Sequence, residues 1–320
     1  MSVLRSLRMS SSTLPSTQRY LSTGRVPVSR RAMLYVPGSN PRMLEKSLTS
    51  PADCVAYDLE DAVSVNQKAE ARRLVSDLLN SDRRPRGEVM VRVNAVGTGL
   101  EQADLEAVLP SRHIEALALP KTTTPEHMRY LIAQIEKFAP REKHAGGQRA
   151  LKVIAMIENA RGMMGLKEII EAGRGYIDGL LFAAEDYCAD VGIIRTPNRI
   201  EMLYPRSQLV TAAKAYGLQA IDLVCVNYKD EAALREESEE GRRLGFEGKQ
   251  AIHPAQVEVI HRAFAPSSED IAKAQRIKET FEESEKQGKG AYGLEGVMID
   301  APVYKQALKV LSKAAAAGLV

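Results

Sequence analysis

The chain has 320 residues, a formal net charge of +3, 5% aromatic residues and no tryptophan. Few stacking surfaces and no long uninterrupted apolar run disfavour a nucleic-acid platform and a membrane span. The positive charge is local: residues 1–31 hold Arg5, Arg8, Arg19, Arg25, Arg30 and Arg31 with no acid, leaving 38 basic against 41 acidic side chains elsewhere. A mildly acidic body argues against a polyanionic partner.

Residues 1–31 also carry eight serines, and the first acid of the chain is Glu45. Arg-rich, Ser-rich and acid-poor is the composition of a mitochondrial transit peptide, with a disordered tail as the alternative. Cleavage is expected near Tyr20–Thr23. Cys54, Cys188 and Cys225 form no CxxC pair, so neither a zinc site nor a disulfide framework is expected. Cys54 and Cys225 sit in apolar runs, as core residues do, in agreement with a reducing compartment.

Along the chain, short apolar runs alternate with helical patterns. Met33–Val36 ends in Pro37-Gly38-Ser39-Asn40, and a helix is expected over 41–49. Cys54–Tyr57 ends in Asp58-Leu59-Glu60-Asp61, before an amphipathic helix over Asn66–Leu79. Val89–Val93, containing Arg92, precedes a helix over Leu100–Leu109. Ala116–Leu119, closed by Pro120-Lys121, precedes a helix over Pro125–Phe138 with proline in its first turn. Lys152–Ile157 stops at Glu158, with helix from about Gly162 to Ala172, and Ile177–Ala183 stops at Glu185 and Asp186. Pro197–Tyr216 is helical in pattern, with a possible interruption at Pro205. Strands over Ala220–Val226 and Gly248–Ile252 alternate with helices over Glu231–Leu244 and Ala255–Phe264.

Eight such units predict a (β/α)₈ TIM barrel over 32–265, with polar residues clustered at the strand ends where barrel enzymes place their chemistry. An open doubly wound sheet is the alternative. Its phosphate fingerprint is missing, because Gly97-Thr98-Gly99 has no third glycine. Residues 266–320 form a helical C-terminal extension: a charged helix over Ser267–Lys286, a Gly-rich turn over Gly288–Gly293, the Val297–Pro302 segment, and a last helix over about 303–317.

Glu158 and Asp186, at the ends of successive strands, suit Mg²⁺, which takes one or two protein carboxylates and fills its octahedron with water and substrate oxygens. The structural alternative is helix capping, and Glu185 rivals Asp186. Arg92 on an apolar strand reads as a ligand for a carboxylate or developing enolate, or as a salt bridge to Asp58, Glu60 or Asp61. Lys121 reads as an electrostatic group. His253 is a general base or a structural histidine. Asp300 is a helix cap or an acid/base of raised pKa.

The segments Leu34–Ser39, Asp58–Val63, Val91–Asn94, Leu119–Lys121, Met156–Glu158, Gly248–Pro254 and Met298–Asp300 resemble, in order, the citrate lyase β-subunit-like proteins of the HpcH/HpaI aldolase superfamily. The resemblance runs from about residue 31 to the C-terminus. It implies a homotrimeric barrel with Mg²⁺ on Glu158 and Asp186, and Arg92 at the keto-acid and enolate. Tyr35, Arg42 and Lys46 match coenzyme A positions, and Ile252 and His253 line the thioester site. Asp300 would be the acid/base, delivered by a neighbouring subunit. Ala183-Ala184 departs from relatives that have glycine before the acids. The implied reaction is C–C cleavage of an acyl-CoA thioester, citramalyl-CoA, to acetyl-CoA and pyruvate, with a malate- or β-methylmalate-synthase side activity from keto-acids such as glyoxylate. Alternatives are a citrate lyase β subunit acting on a carrier-bound thioester and a catalytically silent scaffold barrel.

Overall fold

A computed structural model of the chain describes residues 28–147, 149–286, 292–294 and 297–320. Eight strands pair in parallel in sequence order: β1 (Ala32–Pro37), β2 (Cys54–Asp58), β3 (Glu88–Arg92), β4 (Ala116–Leu119), β5 (Lys152–Ile157), β6 (Ile177–Phe182), β7 (Gln219–Asp222) and β8 (Gly248–Ala251). β1 also pairs with β8, and the sheet closes into the expected barrel. The connecting helices are α1 (Pro41–Ser47), α2 (Lys68–Asn80), α3 (Glu101–Val108), α4 (Pro125–Phe138), α5 (Ala160–Met164), α6 (Leu166–Ala172), α7 (Ala184–Val191), α8 (Leu203–Ala215), α9 (Glu231–Leu244) and α10 (Gln256–Phe264).

Strand residues alternate between two cores. Outward side chains such as Val55, Tyr57, Val89, Val91 and Leu117 pack under the helices. Inward ones, including Met33, Cys54, Ala56, Met90, Ala118, Met156 and Ile221, fill the barrel. Small and large side chains interleave there, as a barrel of eight strands requires. α4 shows how the helices attach: Pro125 opens its first turn, and Met128, Leu131 and Ile135 turn one buried face to the sheet.

The floor of the barrel is ionic. Arg30 is 1% exposed. It donates to Glu88 in a fork of 2.5 and 2.8 Å, to Asp178 at 2.6 Å and to Gln219. Lys152 adds a bond to Glu88 at 3.1 Å. Arg31 forks onto Asp53 with two bonds of 2.9 Å. β8 passes so close that a Cβ at Gly248 would lie 1.8 Å from the Arg30 carbonyl oxygen, so only glycine fits there. Arg30 and Arg31, which composition groups with the leader, are thus built into the barrel floor, because their partners lie on strands remote in sequence.

Several elements differ in detail from the sequence reading. The helix expected from Gly162 breaks at Gly165 into α5 and α6. α8 runs through Pro205, which sits in its first turn where no backbone donor is needed. β7 leaves the ladder after Asp222, although Leu223 and Cys225 remain buried. α7 is a further helix, between β6 and α8, that the pattern of apolar runs does not mark out. Cys54, Cys188 and Cys225 are all free and buried.

After the barrel, α11 (Ser268–Lys286), the antiparallel pair β9 (Tyr292–Leu294) and β10 (Val297–Ile299), and α12 (Ala301–Ala316) complete the described chain. The hairpin of α11 and α12 has its own small core of Ala274, Ile277, Phe281, Ile299 and Ala307, with Phe281 stacked on Tyr304 at 4.3 Å. Gly288–Ala291 of the expected Gly-rich turn lie outside the described residues.

Removing one partner from a buried ion pair costs about 3–5 kcal/mol, because the other charge is left uncompensated. Arg30→Ala is therefore expected to lower the thermal midpoint by several degrees while leaving the pocket residues in place. A melting curve unchanged from the parent chain would contradict this role of the floor.

Candidate active site

At the opposite, C-terminal end of the strands a cavity of about 360 Å³ opens. Tyr35, Asp58 and Arg92 reach it from β1, β2 and β3, and Asp186, Val224 and Ile252 from the segments after β6, β7 and β8. Inward-pointing positions at the last turn of parallel strands must face this mouth, since side chains alternate along each strand.

Arg92 is held rigidly. Its Nε and Nη2 donate to Asp58 at 2.7 and 2.6 Å. Its Nη1 faces Glu60 at 3.2 Å and Asp61 at 3.7 Å, and its plane lies 4.6 Å from the centre of the Tyr35 ring. Burial opposes ionisation of Asp58, but the Arg92 fork outweighs it and holds the carboxyl below the usual range. Asp58 is pinned further by the backbone N–H groups of Glu60 and Ala62, at 2.9 and 3.0 Å. Both readings of Arg92 therefore meet in one side chain: it is salt-bridged to the acids of β2, and it lines the cavity.

Beneath Arg92, the Tyr35 hydroxyl donates to Gln250 at 3.0 Å. The Gln250 amide donates to the carbonyls of Phe182 and Asp222 at 3.0 and 3.1 Å. One inward glutamine so ties β1, β6, β7 and β8 under the cavity. In the sequence Gln250 stands out only as part of the Gly248–Pro254 segment, and the signal that marks it is an amide at a barrel-facing position of β8.

Lys121 adopts φ +47°, an uncommon conformation for a side chain with a Cβ and one found at functional turns. The turn brings its ammonium to Glu60 at 2.5 Å and to Asp61 at 3.6 Å. Burial nonetheless lifts the Glu60 carboxyl above the ordinary value, despite Arg92 and Lys121.

Glu158 follows β5 and is 3% exposed. Burial, then the charge of Glu60 and to a lesser degree that of Asp186, push its carboxyl up to about 8. Its Oε1 has no hydrogen-bond partner although it is fully buried. An orphaned carboxylate oxygen beside other acids fits a divalent cation. Asp58, Asp61, Glu185 and Asp186 line the cavity against one base, Arg92, whereas Glu60 and Glu158 are buried and do not line it. No group of three or more His, Cys, Asp or Glu side chains with ligating geometry occurs among the described residues. A two-carboxylate set is what Mg²⁺ uses, with water and substrate supplying the rest.

The remaining sequence candidates are more dispersed. Arg42 and Lys46 are exposed on α1, and the cavity is lined instead by Met43 between them. Ile252 is on the rim and 42% exposed. His253 lines an adjoining hollow of about 270 Å³, stacked on Tyr228 at 4.9 Å. Asp300 caps α12, accepting from the N–H of Val303 at 3.1 Å, and does not line the cavity of its own chain.

The model of the HpcH/HpaI aldolase/citrate lyase family matches residues 31–254. The mitochondrial citramalyl-CoA lyase of Homo sapiens is 38% identical over 90% of this chain and 86% of its own length. The citrate lyase subunit beta of Escherichia coli is 35% identical over 91% of this chain and 95% of its own. Among solved structures, the CitE protein of Mycobacterium tuberculosis in complex with magnesium, acetoacetate and coenzyme A superposes with a TM-score of 0.72 at 30% identity, over 90% of this chain and 98% of that one. With a closed barrel, an acidic mouth at the strand ends and these relatives over nearly its whole length, the chain belongs to the HpcH/HpaI aldolase/citrate lyase family of carbon–carbon lyases.

Proposed function

We propose that the chain is an Mg²⁺-dependent lyase that cleaves citramalyl-CoA to pyruvate and acetyl-CoA. The observation that carries the reading is the buried, unpartnered Glu158 Oε1 within reach of the charges of Glu60 and Asp186, joined to the relatives' names: a citramalyl-CoA lyase and a protein solved with magnesium and coenzyme A. Glu158 and Asp186 would hold Mg²⁺, which when bound supplies Lewis-acid polarisation of the hydroxy-acid oxygens.

The chain's own groups account for the rest. In the cleavage direction the 3-hydroxyl loses its proton and becomes the carbonyl of pyruvate. The C–C bond breaks, and its electron pair becomes the enolate of acetyl-CoA. Arg92, already fixed by Asp58 and Tyr35, offers charge at the mouth without reorganising, which is how preorganised donors stabilise developing anions. Asp300 would return a proton to the enolate carbon. Since Asp300 does not line its own cavity, a neighbouring subunit of a homotrimer would bring it. Tyr35, Arg42, Lys46, Ile252 and His253 would border the coenzyme A arm. The leader, 1–31, would direct the chain to the mitochondrial matrix; the human relative's name carries the word mitochondrial.

The deciding experiment compares kcat/KM of the purified protein with Mg²⁺ on citramalyl-, malyl- and citryl-CoA. Citramalyl-CoA is expected to be preferred, and preference for citryl-CoA would move the reading to a citrate lyase β subunit. Glu158→Ala and Asp186→Ala are each expected to cost at least about 100-fold in turnover and to abolish Mg²⁺ binding in calorimetry; full binding in both would remove the metal assignment. Because Glu158 without metal sheds its proton only near pH 8, protons compete with Mg²⁺ below that pH. Affinity should fall as the pH drops from 8 towards 6.

Asp300→Asn is expected to bind acyl-CoA yet lose turnover. Mixing Asp300→Asn with Glu158→Gln subunits, each inactive alone, should restore activity to about a quarter if the aspartate crosses between subunits of a closed ring. No recovery after proven subunit exchange would place Asp300 elsewhere. A fluorescent protein fused to residues 1–31 is expected to enter mitochondria; a cytosolic signal would remove the targeting role.

A further inference from the structure

Glu185 and Asp186 stand side by side in the first turn of α7, and both border the cavity. On an α-helix successive residues turn about 100° apart, whereas residues four apart share a face. Asp190, four residues after Asp186, accepts the N–H of Ala160 at 2.8 Å. Ala160 opens α5 and lies two residues beyond Glu158. Asp186 therefore occupies the stripe of α7 turned towards the end of β5, where Glu158 sits. The charge of Asp186 does bear on Glu158.

Glu185, about 100° round the helix from Asp186, is paired with Arg195. Arg195 has a side chain only 16% exposed. It donates to the carbonyl of Val224 at 3.0 Å and faces Glu237 of α9 at 3.4 Å. A single guanidinium thus links the first turn of α7, the backbone beyond β7 and helix α9. Its anchor is rigid in turn. Glu237 also pairs with Lys249 of β8 at 3.0 Å, and Arg206 forks onto Asp222 at 2.7 and 3.1 Å.

We propose that Arg195 is a positioning residue for the metal site: by holding Glu185 against β7 and α9 it fixes the rotation of α7 and leaves Asp186, alone of the adjacent acids, aimed at Glu158. Asp190 serves as the second tether, on the side of α5. The inference rests on the reading of Glu158 and Asp186 as the Mg²⁺ pair and adds the group that chooses between the two candidates. Lysine cannot replace Arg195 fully, because a point charge cannot hold Glu185 and the Val224 carbonyl in one planar fork.

The test is calorimetric titration of the full chain with Mg²⁺ and no substrate. Glu185→Gln and Arg195→Gln are each expected to raise the Mg²⁺ Kd about tenfold, the size of effect that partners of metal ligands usually have. The double variant should be no worse than either single one, since both remove the same tether, and Arg195→Lys should fall between. Asp186→Asn should abolish binding. Glu185→Gln keeps the framework around Arg195 and reads the tether even if Arg195→Gln fails to fold. A Glu185→Gln effect as severe as that of Asp186→Asn would make Glu185 a ligand and overturn the proposal. So would an Arg195→Gln chain with a lowered melting temperature but an unchanged Kd. A parent chain that binds no Mg²⁺ overturns the metal reading and this one with it, whereas normal binding in both the parent and Arg195→Gln overturns this one alone.

Discussion

A carboxylate oxygen buried without a partner is the feature around which the mouth of this barrel is arranged. Leaving such a group unpaired costs more than a typical hydrogen bond returns. Glu158 carries that cost, and neighbouring acids increase it. Nearby cations relieve it only in part: the charge of Lys121 draws the Glu158 carboxyl down, but Lys121 donates to Glu60 and Arg92 is committed to Asp58. With its own bases engaged by other acids, the chain offers Glu158 Oε1 no hydrogen-bond partner.

The same economy explains why Arg92 and Tyr35 are so constrained. A guanidinium bonded through Nε and Nη2, stacked on a phenol that is itself hydrogen-bonded to Gln250, has little rotamer freedom left to lose when substrate arrives. Part of the entropy of ordering the site has been spent in folding.

Much of this was legible in the sequence. Apolar runs at regular spacing gave the eight strands, and the polar residue after each run fell at the catalytic end because parallel strands all point one way. Glu158, Asp186, Arg92 and Asp58 were visible for that reason. What stayed hidden depended on partners far along the chain. Composition could not separate Arg30 from the leader, since its neutralising groups stand on β3 and β6. Glu185 and Asp186 looked equivalent because their difference is one of helical phase, set by Asp190 and Arg195. Asp300 read as both a cap and an acid, and the single chain presents it as the cap of α12.

The floor of the barrel has a bearing on the order in which the molecule can be assembled. Arg30 is bonded to residues 58, 148 and 189 positions further along the chain. Contacts of such range must wait for loops of that length to close. During synthesis the guanidinium therefore emerges early, just ahead of β1, and finds its full set of partners only after β7 has been made. Until then the amino-terminal strand has an open seam, because β8, its second neighbour, is still to come. A chain built this way stays incompletely folded through most of its translation and locks only when β8 returns to β1.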